Sequence, residues 1–159
     1  MRISRRTMLA GLLAIPGGVT ATAAPRLERL DRGRLIPAGL APATRRLLVY
    51  CGASWCGPCR AFLPTLKAAH RRLAESGSDA EIVYAGDDAE LRAHRDYVMR
   101  ERMPWLLVRH DDPARRRLRG LGGTALPGLL LLDRDGGVLG SSWRGDGVSV
   151  PAAFLDAVR

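Results

Sequence analysis

Apolar and polar positions follow two periods along this chain. Residues 47–53, LLVYCGA, are apolar and unbroken, with no helical spacing, and predict a buried strand. After Cys59, the residues Phe62, Leu63, Leu66, Ala69 and Leu73 recur at steps of three and four. That spacing predicts a helix starting close to the strand's end and running to about Glu75. Ser-Gly-Ser-Asp at 76–79 closes it. Residues 81–86, EIVYAG, predict a second short strand. Asp87 and Asp88 follow, where carboxylates suit the free N–H groups of a helix start, and a helix is predicted over 89–101. Residues 105–108, WLLV, are short and strand-like. Asp112 and Pro113 fit the cap and first position of a small helix. Residues 125–144 read as strand, turn at 133–137 and strand, a hairpin. A last helix is expected over 149–159, with Pro151 near its start. Strand, helix, strand, helix, hairpin and helix make an α/β sandwich. No internal repeat interrupts this order.

The stretch ahead of residue 47 behaves differently. Residues 25–46 are rich in Pro, Gly and Arg and read as a lead-in, with a short edge strand or hairpin. Residues 1–24 have a basic start, an apolar run over 8–19 and small residues at 21–23. This is the pattern of a secretory signal with an A-x-A cleavage site. The run is too short and too glycine-rich to span a bilayer comfortably. SRRTML, at 4–9, resembles a twin-arginine export signal. A bacterial periplasmic protein is therefore expected, with membrane attachment only if the signal stays uncleaved. The folded domain is expected over 47–159.

Composition narrows the function classes. With 159 residues, 47 % of them hydrophobic, one domain with an ordinary core is expected. The formal net charge of +9 is carried by arginine, with Lys67 the single lysine. The arginines are scattered, including Arg45-Arg46, Arg71-Arg72 and Arg115-Arg116-Arg117, and few aromatics are interleaved to stack on bases. They read as solvated helix faces, and no nucleic-acid partner is expected.

The chain has three cysteines, Cys51, Cys56 and Cys59. A disulfide scaffold would need more, spread more widely. A zinc site would need a second ligand pair, and His70, His94 and His110 are scattered singly, each expected at the surface. No metal is expected. Cys51, on the predicted strand, reads as a small core residue, with a redox-linked third thiol as the alternative.

Cys56 and Cys59 are placed for disulfide exchange, which needs an exposed thiolate, a resolving thiol and room for a partner chain. Cys56 falls where the strand ends and the helix begins, so its sulfur can accept from free N–H groups of the first turn. The helix end contributes ~0.3–1 kcal/mol, up to ~2 when partly buried, against ~1.4 kcal/mol per pKa unit. A thiol near ~8.5 can thus move toward ~7. Cys59, one turn on, faces it and resolves the mixed disulfide. Pro58 fits the first turn, where its missing N–H is harmless. Trp55 shields the pair and offers a client an apolar surface. The alternative is a tight, inert bridge, which would constrain little of the unfolded chain.

WCGPC, with Trp55, Gly57 and Pro58 around the two cysteines, is the active-site sequence of the thioredoxin superfamily. Pro64 matches the proline that kinks the helix behind that site. ALPG at 125–128 stands where the superfamily has its cis-proline loop, which makes Pro127 the candidate cis-proline and Leu126 the residue whose backbone pairs with a bound peptide. The blocks YCGASWCGPCRAFLPTL, EIVYAGDD, MPWLLV and LPGLLLLDRDGGV resemble the tryparedoxin/nucleoredoxin-like branch, close to bacterial TlpA-like periplasmic proteins, over 47–139. The resemblance implies a thioredoxin-like fold, a central mixed β-sheet flanked by helices, and a thiol–disulfide oxidoreductase without cofactor. Three departures stand out. Tyr50 occupies the position of thioredoxin's buried aspartate, Gly128 replaces the usual threonine, and Cys51 is extra.

Gly57-Pro58 is the thioredoxin pair, and thioredoxin lies near ~−270 mV against ~−120 mV for the strong oxidant DsbA. A reductant of client-protein disulfides is therefore expected, supplied with electrons by a membrane thiol donor. Two alternatives are an oxidase or isomerase on the same fold, with a potential above about −180 mV, and a non-enzymatic module holding Cu(I) or a partner through the two thiols.

Overall fold

The structure is a computed structural model describing residues 24–157. The predicted leader, 1–24, lies outside the described residues except for Ala24, and so do the last two positions of the expected C-terminal helix. In chain order the elements are β1 Leu27–Asp31, β2 Arg34–Ala38, β3 Arg46–Gly52, α1 Gly57–Glu75, β4 Ala80–Gly86 and α2 Leu91–Arg100. There follow β5 Leu106–Val108, α3 Ala114–Gly120, β6 Gly128–Asp133, β7 Val138–Ser141 and α4 Pro151–Ala157. The seven strands form one mixed sheet in the order β2-β1-β5-β4-β3-β6-β7. This is the thioredoxin-like arrangement expected from the sequence.

The central strands are apolar on both sides because both sides are covered. Side chains alternate across a strand. Leu48, Tyr50, Ile82, Tyr84, Leu107 and Leu129 therefore join one buried cluster with Phe62, Leu63 and Leu66 of α1, Tyr97 and Val98 of α2 and Leu155 of α4. Val49, Cys51, Val83, Ala85, Val108, Leu130 and Leu132 join a second cluster with Ala114 and Leu118 of α3.

Strand register explains how the cysteine motif meets residues far along the chain. β3 runs parallel to β4, with Gly52 beside Gly86. β6 runs antiparallel to β3, with Gly128 beside Cys51. The end of β3, the end of β4 and the start of β6 therefore share one end of the sheet.

The lead-in segment contributes a hairpin that extends this sheet. Arg32 and Gly33 both take positive φ, 45° and 77°, as a tight two-residue hairpin turn requires. β1 then pairs with β5 through Leu27 and Val108, so the three-residue β5 is held on both sides.

The structure changes several details of the sequence reading. The second helix begins at Leu91, and its cap residue Glu90 makes no side-chain cap bond. Asp87 and Asp88 do not cap it, because their carboxylates face Arg119 of α3 and the Ser54 loop respectively. Asp112, by contrast, accepts from the Ala114 N–H at 2.8 Å where α3 begins, with Pro113 at the cap position, one place ahead of where the sequence puts it. Arg115 is not a solvated helix residue, since its Nη1 donates to the Gly86 and Asp88 carbonyls at 2.8 Å each.

His94 is fully buried rather than at the surface. Its ring stacks on Tyr84, with centroids 5.5 Å apart, and lies 5.4 Å from the His110 ring. Burial, then His110 and Arg115, lower its pKa to about 4, while Asp88 opposes them. The native ring thus stays neutral while the unfolded ring protonates near ~6.5. Between those values the unfolded state binds more protons, so stability present above about pH 6.5 is lost as pH falls toward 4. The loss is about 3 kcal/mol at most. Urea midpoints at pH 7 and pH 4.5 should therefore converge when His94→Phe is compared with wild type. An equal drop in both proteins would remove His94 as the cause.

Candidate active site

Cys56 is the cap residue of α1, with extended backbone angles of φ −84° and ψ 104°. Its Sγ accepts a hydrogen bond from the Cys59 N–H at 3.1 Å. This is the bond that Ser or Asp makes at most helix starts, made here by sulfur. The apolar β3 delivers the chain into a turn closed by the Cys56 N–H on the Ala53 carbonyl at 3.2 Å. Gly57 and Pro58 then form the first helical positions, and Pro64 lies inside the helix. Cys56 and Cys59 are joined as a disulfide, with Cα atoms 5.2 Å apart. Both are buried, whereas Trp55 is 65 % exposed and Gly57 and Pro58 lie at the surface.

Trp55, Gly57, Pro58, Leu126 and Pro127 fall at this end of the sheet with the two cysteines. Leu126 packs against Ala53, Cys56 and Cys59. The Leu126–Pro127 peptide bond is cis. Cys51 is completely buried and free, and burial pushes its thiol up to about 12, with Arg119 opposing and Asp87 adding to the rise. This is the environment of a small core residue. In reduced native protein at pH 8, iodoacetamide should label Cys51 only on unfolding; labelling of Cys51 as fast as Cys56 would restore it as a redox thiol.

Tyr50 is buried on the α1 side, within 5.4 Å of the Tyr84 ring and 6.2 Å of the Phe62 and Trp105 rings. Burial holds its phenol far above the ordinary range, so it passes no proton near neutrality. Glu81 sits at the other end of β4, where its Oε2 accepts from Thr44 Oγ1 at 2.6 Å.

The structure adds residues that spacing along the chain does not single out. Asp88 is buried and its carboxylate grips the loop ahead of the cysteines. It accepts from the Ser54 N–H at 3.1 Å and from Ser54 Oγ at 2.5 Å. Arg60 Nη1 donates to the Ser54 carbonyl from the other side at 2.7 Å. Thirty-four positions separate Ser54 from Asp88, so only the β3–β4 register reveals the pair. Among the described residues no group of three or more His, Cys, Asp or Glu side chains is placed to hold a metal.

A sequence model of the family described as thioredoxin-like matches residues 45–138. The chain belongs to the thioredoxin-like family. Within it, the chain is 37 % identical over 95 residues to nucleoredoxin from Mus musculus, an alignment covering 57 % of this chain and 21 % of that protein. It therefore spans about a fifth of the length of the nucleoredoxins it matches. Tryparedoxin from Trypanosoma brucei brucei is 29 % identical over 105 residues, covering 63 % of this chain and 69 % of the other. The crystal structure of native tryparedoxin I from Crithidia fasciculata superimposes with a TM-score of 0.62 at 25 % identity, covering 84 % of this chain and 85 % of that one. These matches place this thioredoxin-like chain in the tryparedoxin/nucleoredoxin-like branch. A Cys-x-x-Cys pair closed as a disulfide at the head of a helix fits a redox function in that family.

Proposed function

We propose that this protein is a thiol–disulfide oxidoreductase that reduces disulfides of client proteins in the periplasm. The observation that carries this reading is the Cys59 N–H aimed at Cys56 Sγ across 3.1 Å at the start of a 19-residue helix. In the reduced protein that donor and the helix dipole favour a Cys56 thiolate. The thiolate attacks a client disulfide, forms a mixed disulfide and releases one client thiolate. The Cys59 sulfur, deprotonated, then attacks Cys56 Sγ and releases the second. The client gains two electrons, and the protein is left with the disulfide described above. Returning it to the dithiol needs an external thiol reductant, and a membrane thiol donor is the partner that a periplasmic site implies.

Trp55, Gly57 and Pro58 would form the surface that meets the client, with the Leu126 backbone pairing to its chain across Pro127. Export rests on the leader pattern of 1–24. Among the described residues no helix is long and apolar enough to cross a membrane. Titrating Cys56 by the pH dependence of its alkylation tests the reading. A pKa near ~7 is expected. A value at or above ~8.5, that of an ordinary thiol, would reduce the pair to a structural bridge.

A further inference from the structure

Three glycines flank the Leu126–Pro127 segment, and one side chain explains all three. A Cβ built on Gly122, Gly123 or Gly128 would fall inside the van der Waals envelope of the Trp143 ring. None of the three takes a positive φ, so glycine is needed there for room and not for backbone freedom. Trp143 lies just beyond β7, where it bridges to Ser149, and its ring reaches back beneath the 122–128 loop. Its Nε1 donates to the Ala125 carbonyl at 2.8 Å, one residue before Leu126. The ring also packs in the same apolar cluster as Leu126.

Arg119 closes the arrangement from α3. Its guanidinium stands over the Trp143 ring, 5.8 Å from the centroid. Its Nη1 and Nη2 donate to the Gly123 and Thr124 carbonyls, the latter at 2.7 Å. Its Nε pairs with Asp87 Oδ2 at 3.7 Å, and the Asp87 N–H donates to the Gly52 carbonyl at 2.9 Å. Three consecutive carbonyls of the loop, 123 to 125, are thus held by two side chains that touch each other. The same network is tied to the end of β3, which leads into the cysteine motif.

We propose that Trp143, backed by Arg119, is a positioning residue that sets the 122–128 loop for client pairing at Leu126. This rests on the function proposed above. Trp143 does not touch the sulfurs in this scheme; it acts through the backbone of the loop. Its loss should therefore weaken client engagement and leave the thiol as reactive as before.

The test uses Trp143→Ala, Trp143→Phe, Gly128→Ala and the double variant. Trp143→Ala should raise KM for insulin reduction about tenfold, the worth of one or two backbone hydrogen bonds, with Cys56 alkylation by iodoacetamide unchanged. Trp143→Phe, which keeps most of the ring but no N–H, should fall between. Gly128→Ala alone should also raise KM, because its methyl meets the indole. Combined with Trp143→Ala it should add nothing further, since the ring is gone. Hydrogen exchange over 122–128 should quicken in Trp143→Ala, and this measurement needs no turnover. Strictly additive KM effects, wild-type exchange, or an alkylation rate that falls with insulin turnover would each overturn the proposal. If wild type fails to reduce insulin, the proposed function fails, while exchange over 122–128 still decides whether Trp143 holds the loop.

Discussion

Replacing Cys56 by serine should bring insulin reduction down to the uncatalysed rate, a loss of at least ~10³-fold. Replacing Cys59 by serine should also stop turnover, yet leave a protein that attacks once and stays attached to its client. The asymmetry follows from position. Cys56 is the cap residue whose sulfur receives the Cys59 N–H, and a serine at 59 keeps that backbone donor. Cys59 is completely buried, while Cys56 retains 5 % exposure at the foot of the exposed Trp55. Of the pair, only Cys56 keeps any contact with solvent. Cys59→Ser expressed in periplasm and analysed by mass spectrometry should show clients linked through Cys56. Should Cys59→Ser trap nothing while wild type still reduces insulin, the two roles are reversed or absent.

The second large effect concerns the position where thioredoxin has its buried aspartate. Tyr50→Asp should cost more than ~4 kcal/mol and leave much of the protein unfolded at 25 °C. Tyr50 is fully buried against Phe62, Tyr84 and Trp105. Removing the ring alone resembles a buried Phe→Ala change, worth ~3–5 kcal/mol. A carboxyl group in that apolar site adds an unpaired polar burden. Urea unfolding followed by circular dichroism checks this, and a wild-type midpoint would show that the site tolerates a carboxylate after all. A consequence for mechanism follows: the Cys59 proton leaves by some other route than a carboxylate at position 50.

The sequence revealed most where the relevant spacing is short. Cys56, Gly57, Pro58 and Cys59 lie within one helical turn, so their placement is read from neighbours alone. The two central strands were legible because both faces are covered, which leaves unbroken apolar runs. The burial of His94 was hidden because one histidine on a short helix looks the same whether it faces water or Tyr84. Asp88 was misplaced for a related reason. An aspartate ahead of a helix usually serves that helix, but here the Ser54 loop lies nearer once β3 and β4 are in register. Gly128 stands out in the sequence only as a replacement for the usual threonine. Its meaning depends on Trp143, which the fold brings back to it from beyond β7.

The hairpin of β1 and β2 also shapes one border of the sheet. β2 is the outermost strand on its side. The two-residue turn makes Asp31 and Arg34 a mutually bonded pair, so the alternation of an antiparallel ladder points the backbone nitrogens of Leu35 and Pro37 outward. Proline has no hydrogen to give there. An incoming strand would find one donor where it needs two, which disfavours edge-to-edge pairing of copies along this border.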